Sequence, residues 1–262
     1  MKIADAHAHI FPDKIAEKAS HAIGEFYETS MPHIATLTEL SALEQEAGIE
    51  TFIVSSSATS PEQAGHINDF IAQSIQNRPD VIGFGSLFPT MEDWEEELER
   101  MVALGLRGIK IHSDFQAIPI DEAVSVPMYK AIAKAGLPVL FHMGDDRYDY
   151  SAPERLANLI RQVPDLIAIG AHFGGYRAWD RASAQTLPEN VFYDTSSSLM
   201  FLGKERALDL LDKMGPHRFL FGTDFPMWTP EKELQRFLDL GLDESTRDRI
   251  LYGNFERLFL RR

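Results

Sequence analysis

Residues 106–143 read LRGIKIHSDFQAIPIDEAVSVPMYKAIAKAGLPVLFHM and contain the unit on which the whole chain is built. A short apolar run, LRGIKIH, precedes a segment whose apolar residues have helical spacing, and a second apolar run, LPVLFHM, follows. The helical segment ends at Gly136, directly before the second run, as is typical of a helix that stops at a left-handed glycine. The pattern predicts a strand–helix–strand unit with parallel strands.

The same alternation continues along the chain in both directions. Six further apolar runs read KIADAHAHI near the start, IETFIVSSS from Ile49, DVIGFGSLF from Asp80, LIAIGAH from Leu166, NVFYDTS from Asn190 and RFLFGTD from Arg218. Eight βα units in 262 residues predict an α/β fold, a (β/α)8 TIM barrel, as a single domain over residues 1–262. A doubly wound open sheet is the alternative, and the absence of Gly-x-Gly-x-x-Gly after the first strand disfavours it.

Composition excludes several classes of site and partner. The chain has no cysteine, which rules out disulfides, thiolate metal sites and a cysteine nucleophile. Its net charge of −15 disfavours nucleic acid and anionic lipid as partners. No apolar stretch is long enough to cross a bilayer, and no secretory signal pattern opens the sequence. We therefore expect a cytoplasmic protein that acts on a small molecule, with homo-oligomerisation left open.

Side chains that can bind metals recur at the predicted strands. His7 and His9 stand two apart in the first strand, so both rings leave it on the same face. His142, His172 and Asp224 each close a later strand. In a barrel the carboxyl ends of the strands meet at one mouth, where active sites are built. Each histidine alone is more often a structural residue, but the set together predicts a metal centre.

These residues lie in motifs that resemble a known family. DAHAHIF at the first strand, GIKIH at the fourth, FHMG at the fifth, GAHFGG at the sixth and FGTDFP at the eighth occur in order, followed by GNFERLF. The set resembles the amidohydrolase superfamily, in particular its amidohydrolase-2 branch. The resemblance implies a (β/α)8 barrel with one or two divalent metals at its mouth.

The resemblance also implies roles for single residues. His7, His9, His142 and Asp224 match the ligands of one metal ion, and Asp224 would in addition act as general base. His172 would polarise the substrate or orient the attacking water. In a two-metal form, Lys110 would be carboxylated and bridge the ions, with His172 joining His142. We expect one ion, with zinc suiting the donor set and manganese, cobalt or iron fitting nearly as well.

The sequence gives a weaker indication of which residues bind the substrate. Lys110 and His112 share one face of the fourth strand, and Asp145 and Arg147 follow the fifth, so these four are the candidate substrate-binding residues. A metal-bound water with a pKa lowered to about 7 would supply hydroxide at neutral pH. We therefore expect a metal-dependent hydrolase of a small-molecule ester, lactone or amide. A metal-dependent non-oxidative decarboxylase of a small carboxylated substrate is the first alternative, and a catalytically silent metal-binding barrel is the second.

Overall fold

The structure is a computed structural model that describes residues 1–261. Parallel strands alternate with helices along the chain, as the sequence pattern predicts. The chain divides into two compact units. The first contains Met1–Val54, Arg78–Val81 and the segment from Thr195 onwards, and the second contains Ser55–Asn77 and Ile82–Asp194. The single domain predicted for residues 1–262 stays a prediction.

The strands are shorter than the apolar runs that predict them. One run, DVIGFGSLF, is divided at Phe84 into two strands. The side chain of Asn68 bonds both the N–H and the C=O of Ser86, the last residue of the second of these strands. The strands are β1 Ala4–His9, β2 Thr51–Ser55, β3 Val81–Gly83, β4 Gly85–Ser86, β5 Ile109–Ile111, β6 Val139–Phe141, β7 Ala168–Gly170, β8 Val191–Asp194 and β9 Phe219–Leu220.

Helices follow most of the strands. Gly136 has a φ of 68° after the helix that precedes β6, which confirms the predicted left-handed end. No helix among residues 1–261 is long and apolar enough to span a membrane. The helices are α1 Asp13–Phe26, α2 Leu37–Glu46, α3 Gln63–Ser74, α4 Trp94–Ala103, α5 Ser113–Gln116, α6 Val126–Lys134, α7 Pro153–Gln162, α8 Trp179–Ser183, α9 Leu199–Leu202, α10 Lys204–Met214, α11 Pro230–Leu238 and α12 Glu244–Asp248.

In the second unit, β4 to β8 form a parallel array in sequence order. Ile111 lies opposite Phe141, Phe141 opposite Gly170, and Gly170 opposite Tyr193. The residues that follow these positions therefore leave the array along one edge: they are His112, His142, Ala171 and Asp194. The strands themselves are buried and apolar apart from Lys110, Ser86 and Asp194. The register thus gathers the polar side chains of this unit at the carboxyl edge.

In the first unit, β1 lies beside the segment that starts with β9. Ala6 N–H donates to Phe221 O at 2.9 Å, and Asp224 N–H donates to His7 O at 2.7 Å. His9 N–H donates to Phe225 O at 2.8 Å. These parallel contacts bring the end of β1 next to residue 224, although more than 200 positions of sequence separate them.

Candidate metal centre and active site

Three potential ligands converge in the first unit. The Nε2 atoms of His7 and His9 are 3.1 Å apart. Asp224 Oδ1 lies 3.4 Å from His7 Nε2 and 3.3 Å from His9 Nε2. His7 is fully buried, and the side chains of His9 and Asp224 are only 14% and 12% exposed. Two imidazole nitrogens and one carboxylate oxygen aimed at a common point form a donor set that fits a divalent metal ion.

The backbone of Asp224 adopts a strained conformation. Its φ is 61°, in the left-handed region that side-chain-bearing residues seldom adopt. The hydrogen bond from Asp224 N–H to His7 O holds that conformation, and Met227 N–H donates to Asp224 O at 2.9 Å. Left-handed residues of this kind concentrate at functional sites, where the surrounding structure maintains the strain.

Asp5 accepts hydrogen bonds from both segments that carry the ligands, the one with His7 and the one that precedes Asp224. Its Oδ1 accepts from His7 N–H at 2.8 Å and from Thr223 N–H at 3.0 Å, while Thr223 Oγ1 donates to its Oδ2 at 2.5 Å. Burial raises the pKa of Asp5 to about 7, and burial beside Asp5 raises the pKa of Glu44 well above its usual value. The sequence places Asp5 on the face of His7 and His9, and the contacts give it a structural role.

A second histidine pair occupies the carboxyl edge of the second unit. His142 Nδ1 is 3.1 Å from His172 Nε2, and His142 Nε2 is 3.0 Å from Gly144 O. A carbonyl only accepts, so His142 donates from Nε2, and in the neutral ring the lone pair then lies on Nδ1. His172 has a φ of 60°, and its N–H donates to Asp194 Oδ1 at 2.9 Å. One hydrogen bond therefore sets the tautomer of His142.

Asp114 is a functional candidate that the sequence reasoning missed. It lies two residues after His112, and its Oδ2 accepts from Ser151 Oγ at 2.6 Å and stands 3.7 Å from His142 Nε2. Burial raises its pKa to about 6. His112, Asp114 and His142 form another group close enough to share an ion among the residues described. The acidic residue two positions after a strand-end histidine was the available signal.

The four candidate substrate-binding residues differ in their surroundings. Lys110 is completely buried in β5, and the ring of His112 stacks between those of Phe115 and His142, with centroids 3.6 and 4.0 Å away. Asp145 and Arg147 are paired with each other by two bonds of 2.9 and 2.8 Å. Asp145 is buried, whereas 37% of the Arg147 side chain is exposed. Their substrate-binding roles stay predictions.

The structure brings together some of the predicted metal ligands and leaves the participation of another as a prediction. The first unit brings together three of the four, His7, His9 and Asp224. The participation of His142 as fourth ligand, and the carboxylation of Lys110 with a second ion, stay predictions from the sequence.

The family model for amidohydrolases matches residues 4–261, which is nearly the whole chain. The chain belongs to the amidohydrolase family. This confirms the resemblance that the strand-end motifs indicate, and it identifies the protein as a member of a family of enzymes. Two curated relatives are similar to this chain. Gamma-resorcylate decarboxylase of a Polaromonas species is 26% identical, over 83% of this chain and 85% of that protein. 2-amino-3-carboxymuconate-6-semialdehyde decarboxylase of Dictyostelium discoideum is 26% identical, and the match spans 73% of this chain but 64% of the relative.

Solved structures establish the fold of this chain. 5-carboxyvanillate decarboxylase from Sphingomonas paucimobilis superposes with a TM-score of 0.77 at 17% identity, over 99% of each chain. The enzyme of that name from Novosphingobium aromaticivorans, complexed with manganese and a nitrobenzoic acid, gives a TM-score of 0.75 at 18% identity over 99% and 96%. A probable 2-pyrone-4,6-dicarboxylic acid hydrolase from Acinetobacter baumannii gives 0.73 at 18% over both full chains. The chain has the (β/α)8 barrel fold that its eight βα units predict.

Proposed function

We propose that this member of the amidohydrolase family is a metal-dependent, non-oxidative decarboxylase of a small carboxylated substrate. The convergence of His7 Nε2, His9 Nε2 and Asp224 Oδ1 carries the metal-dependent part of the proposal, since it provides the donor set for one divalent ion. The activities of the curated relatives and of two solved neighbours favour decarboxylation over the hydrolysis that the sequence alone led us to expect.

The metal would be held by His7, His9 and Asp224, with His142 as the predicted fourth ligand. Manganese is the first ion to test because the Novosphingobium neighbour was solved with it, while zinc remains the expectation from the donor set. When bound, the ion supplies a Lewis acid that binds substrate oxygen atoms and favours the negative charge developed as the carbon–carbon bond breaks.

Side chains of the protein would supply the proton that decarboxylation requires. Loss of carbon dioxide leaves an electron pair on carbon. That carbon must take up a proton to complete the reaction. Asp224 and His172 are the groups proposed to hold and deliver that proton. Lys110, His112, Asp145 and Arg147 are proposed to bind the substrate, and the buried amine of Lys110, when protonated, suits a carboxylate or phenolate oxygen.

A hydrolase is the second candidate, and the similarity to the 2-pyrone-4,6-dicarboxylic acid hydrolase supports it. In that reaction Asp224 would take a proton from the attacking water instead of giving one to carbon. Both reactions need the same donor set, so the ligands alone do not distinguish them. A cytoplasmic location, homo-oligomerisation and the single-domain organisation remain further predictions.

The test is a substrate panel with the metal as its variable. Protein freed of metal and reloaded with Mn²⁺ or Zn²⁺ is incubated with hydroxybenzoic acids, lactones and amides, and both carbon dioxide and hydrolysis products are measured. We expect carbon dioxide release that requires the metal and is lost in Asp224→Asn. Hydrolysis without carbon dioxide would replace the proposal with the second candidate, and absence of both products would favour the silent barrel.

A further inference from the structure

Two consecutive serines after β8 contact two of the three proposed metal ligands. Ser196 Oγ is 3.0 Å from His7 Nδ1, and Ser197 Oγ donates to Asp224 Oδ2 at 2.5 Å. Both serines are buried, and the backbone of Ser197 is left-handed, with a φ of 50°. The chain thus adopts a rare conformation at the residue whose hydroxyl reaches the carboxylate.

Trp228 determines the direction of the bond to Asp224. Its indole Nε1–H donates to Ser197 Oγ at 3.0 Å, and an indole nitrogen is only ever a donor. Ser197 therefore accepts from Trp228 and keeps its single O–H for another acceptor. Two acceptors lie within reach, the Sδ of Met227 at 3.5 Å and Asp224 Oδ2 at 2.5 Å. The carboxylate oxygen is both closer and a far stronger acceptor, so the O–H points to Asp224.

The consequence is that the two oxygens of Asp224 have different tasks. Oδ2 is held by Ser197, and Oδ1 is left facing His7 Nε2 and His9 Nε2. The contact of Ser196 Oγ with His7 Nδ1 acts in the same sense when the ring donates: the tautomer with its hydrogen on Nδ1 keeps the lone pair on Nε2. Hydrogen bonds of this kind orient metal ligands and fix their tautomers.

The indole itself is held in place from the other side. The guanidinium of Arg236 lies 4.6 Å from the centroid of the Trp228 ring, and Arg236 pairs with the carboxylate of Glu233, which is buried. A cation over the ring face draws electron density from the indole, which makes its N–H a better donor. The arrangement therefore extends from α11 through Trp228 and Ser197 to Asp224.

We propose that Ser197, oriented by Trp228, and Ser196 are positioning residues that present Asp224 Oδ1 and His7 Nε2 to a divalent metal ion. The proposal rests on the proposed function only in taking His7 and Asp224 as ligands, and it holds for either reaction. It predicts that Trp228 acts on the metal site through Ser197 alone.

Four variants test this without any substrate: Ser197→Ala, Ser197→Gly, Trp228→Phe and the double variant Ser197→Ala/Trp228→Phe. Glycine removes the hydroxyl while easing the left-handed backbone, so its effect is not a folding defect. Ser125→Ala is the control, because Ser125 is equally buried and its hydroxyl has no hydrogen-bond partner among the residues described. Mn²⁺ affinity is measured by competition with a chelator, and the visible absorption of Co²⁺-loaded protein reports ligand geometry.

We expect both Ser197 variants to lose about 10- to 100-fold in Mn²⁺ affinity and to change the Co²⁺ spectrum. Trp228→Phe should show a smaller loss in the same direction, and the double variant should lose no more than Ser197→Ala. Wild-type affinity and spectrum in Ser197→Gly, or additive losses in the double variant, would overturn the proposal. Because no substrate is present, failure of the decarboxylase assignment leaves this result unaffected.

Discussion

Three residues to which we propose roles in metal binding, ligand positioning or proton transfer share a backbone conformation that side-chain-bearing residues seldom adopt. His172, Ser197 and Asp224 have φ values of 60°, 50° and 61°. Each left-handed residue of this type costs free energy of folding, and such residues persist where a specific geometry is required. The sequence does not reveal them, because none is a glycine or lies in a recognisable turn motif.

Asp224→Asn is the most informative change at this scale. Asparagine tolerates the left-handed conformation, and its amide oxygen can still bind a metal weakly, so the variant should fold. It cannot deliver a proton, and we expect kcat to fall by about 100-fold or more. Steady-state kinetics on metal-saturated protein provide the measurement, with metal content determined on the same sample. Unchanged kcat at full metal occupancy would remove Asp224 from the proton-transfer role.

At the scale of elements, the contact between α2 and β1 buries an acid. Glu44 on α2 is 1% exposed, and burial followed by the charge of Asp5 raises its pKa well above 4.5. A carboxyl whose pKa is higher in the folded state binds more protons there than in the unfolded chain. Unfolding free energy therefore falls as the pH rises above 4.5, by at most about 1.4 kcal/mol per pH unit for each such proton.

Glu44→Gln should remove its share of this dependence. The variant keeps the size of the side chain but has no proton to lose, so we expect it to be more stable than the wild type at pH 8. The advantage should shrink towards pH 5. Urea unfolding of metal-free protein across this range gives the comparison, and a pH-independent difference between the two proteins would contradict the raised pKa.

The loop after β6 depends on a close backbone approach. Gly144 has a φ of 76°, and a Cβ there would lie 2.6 Å from the backbone N and O of Tyr176. Its carbonyl also holds His142 Nε2. Gly136, with a φ of 68°, has no atom within 4 Å of the same position and serves as the matched control.

Gly144→Ala should therefore destabilise the protein more than Gly136→Ala. Both variants incur the cost of a left-handed alanine, of about 1 kcal/mol, and only the first adds a clash with backbone atoms. Thermal unfolding of the two variants side by side measures the difference. Equal melting temperatures would contradict this prediction and would show that the backbone at residues 175–176 moves to accommodate the added methyl group.

At the scale of the whole molecule, the sequence predicts the fold more completely than it predicts the site. Eight apolar runs separated by helical segments are enough for the barrel, because periodicity and order are local properties of the chain. The strand-end histidines are also visible, since the register that aligns them follows from parallel pairing. The contacts of Asp114 and Ser197 are harder to predict from the sequence. The partners of Ser197 lie 27 and 31 positions away, and only tertiary packing brings them together.

The central claim is that His7, His9 and Asp224 hold a divalent ion, and the most direct test is elemental analysis of purified protein. His7→Ala is analysed beside the wild type, with His21→Ala, an exposed residue of α1, as control. We predict about one equivalent of metal per chain in the wild type and in His21→Ala, and far less in His7→Ala. No metal in the wild type after reconstitution, or full occupancy in His7→Ala, would contradict the account.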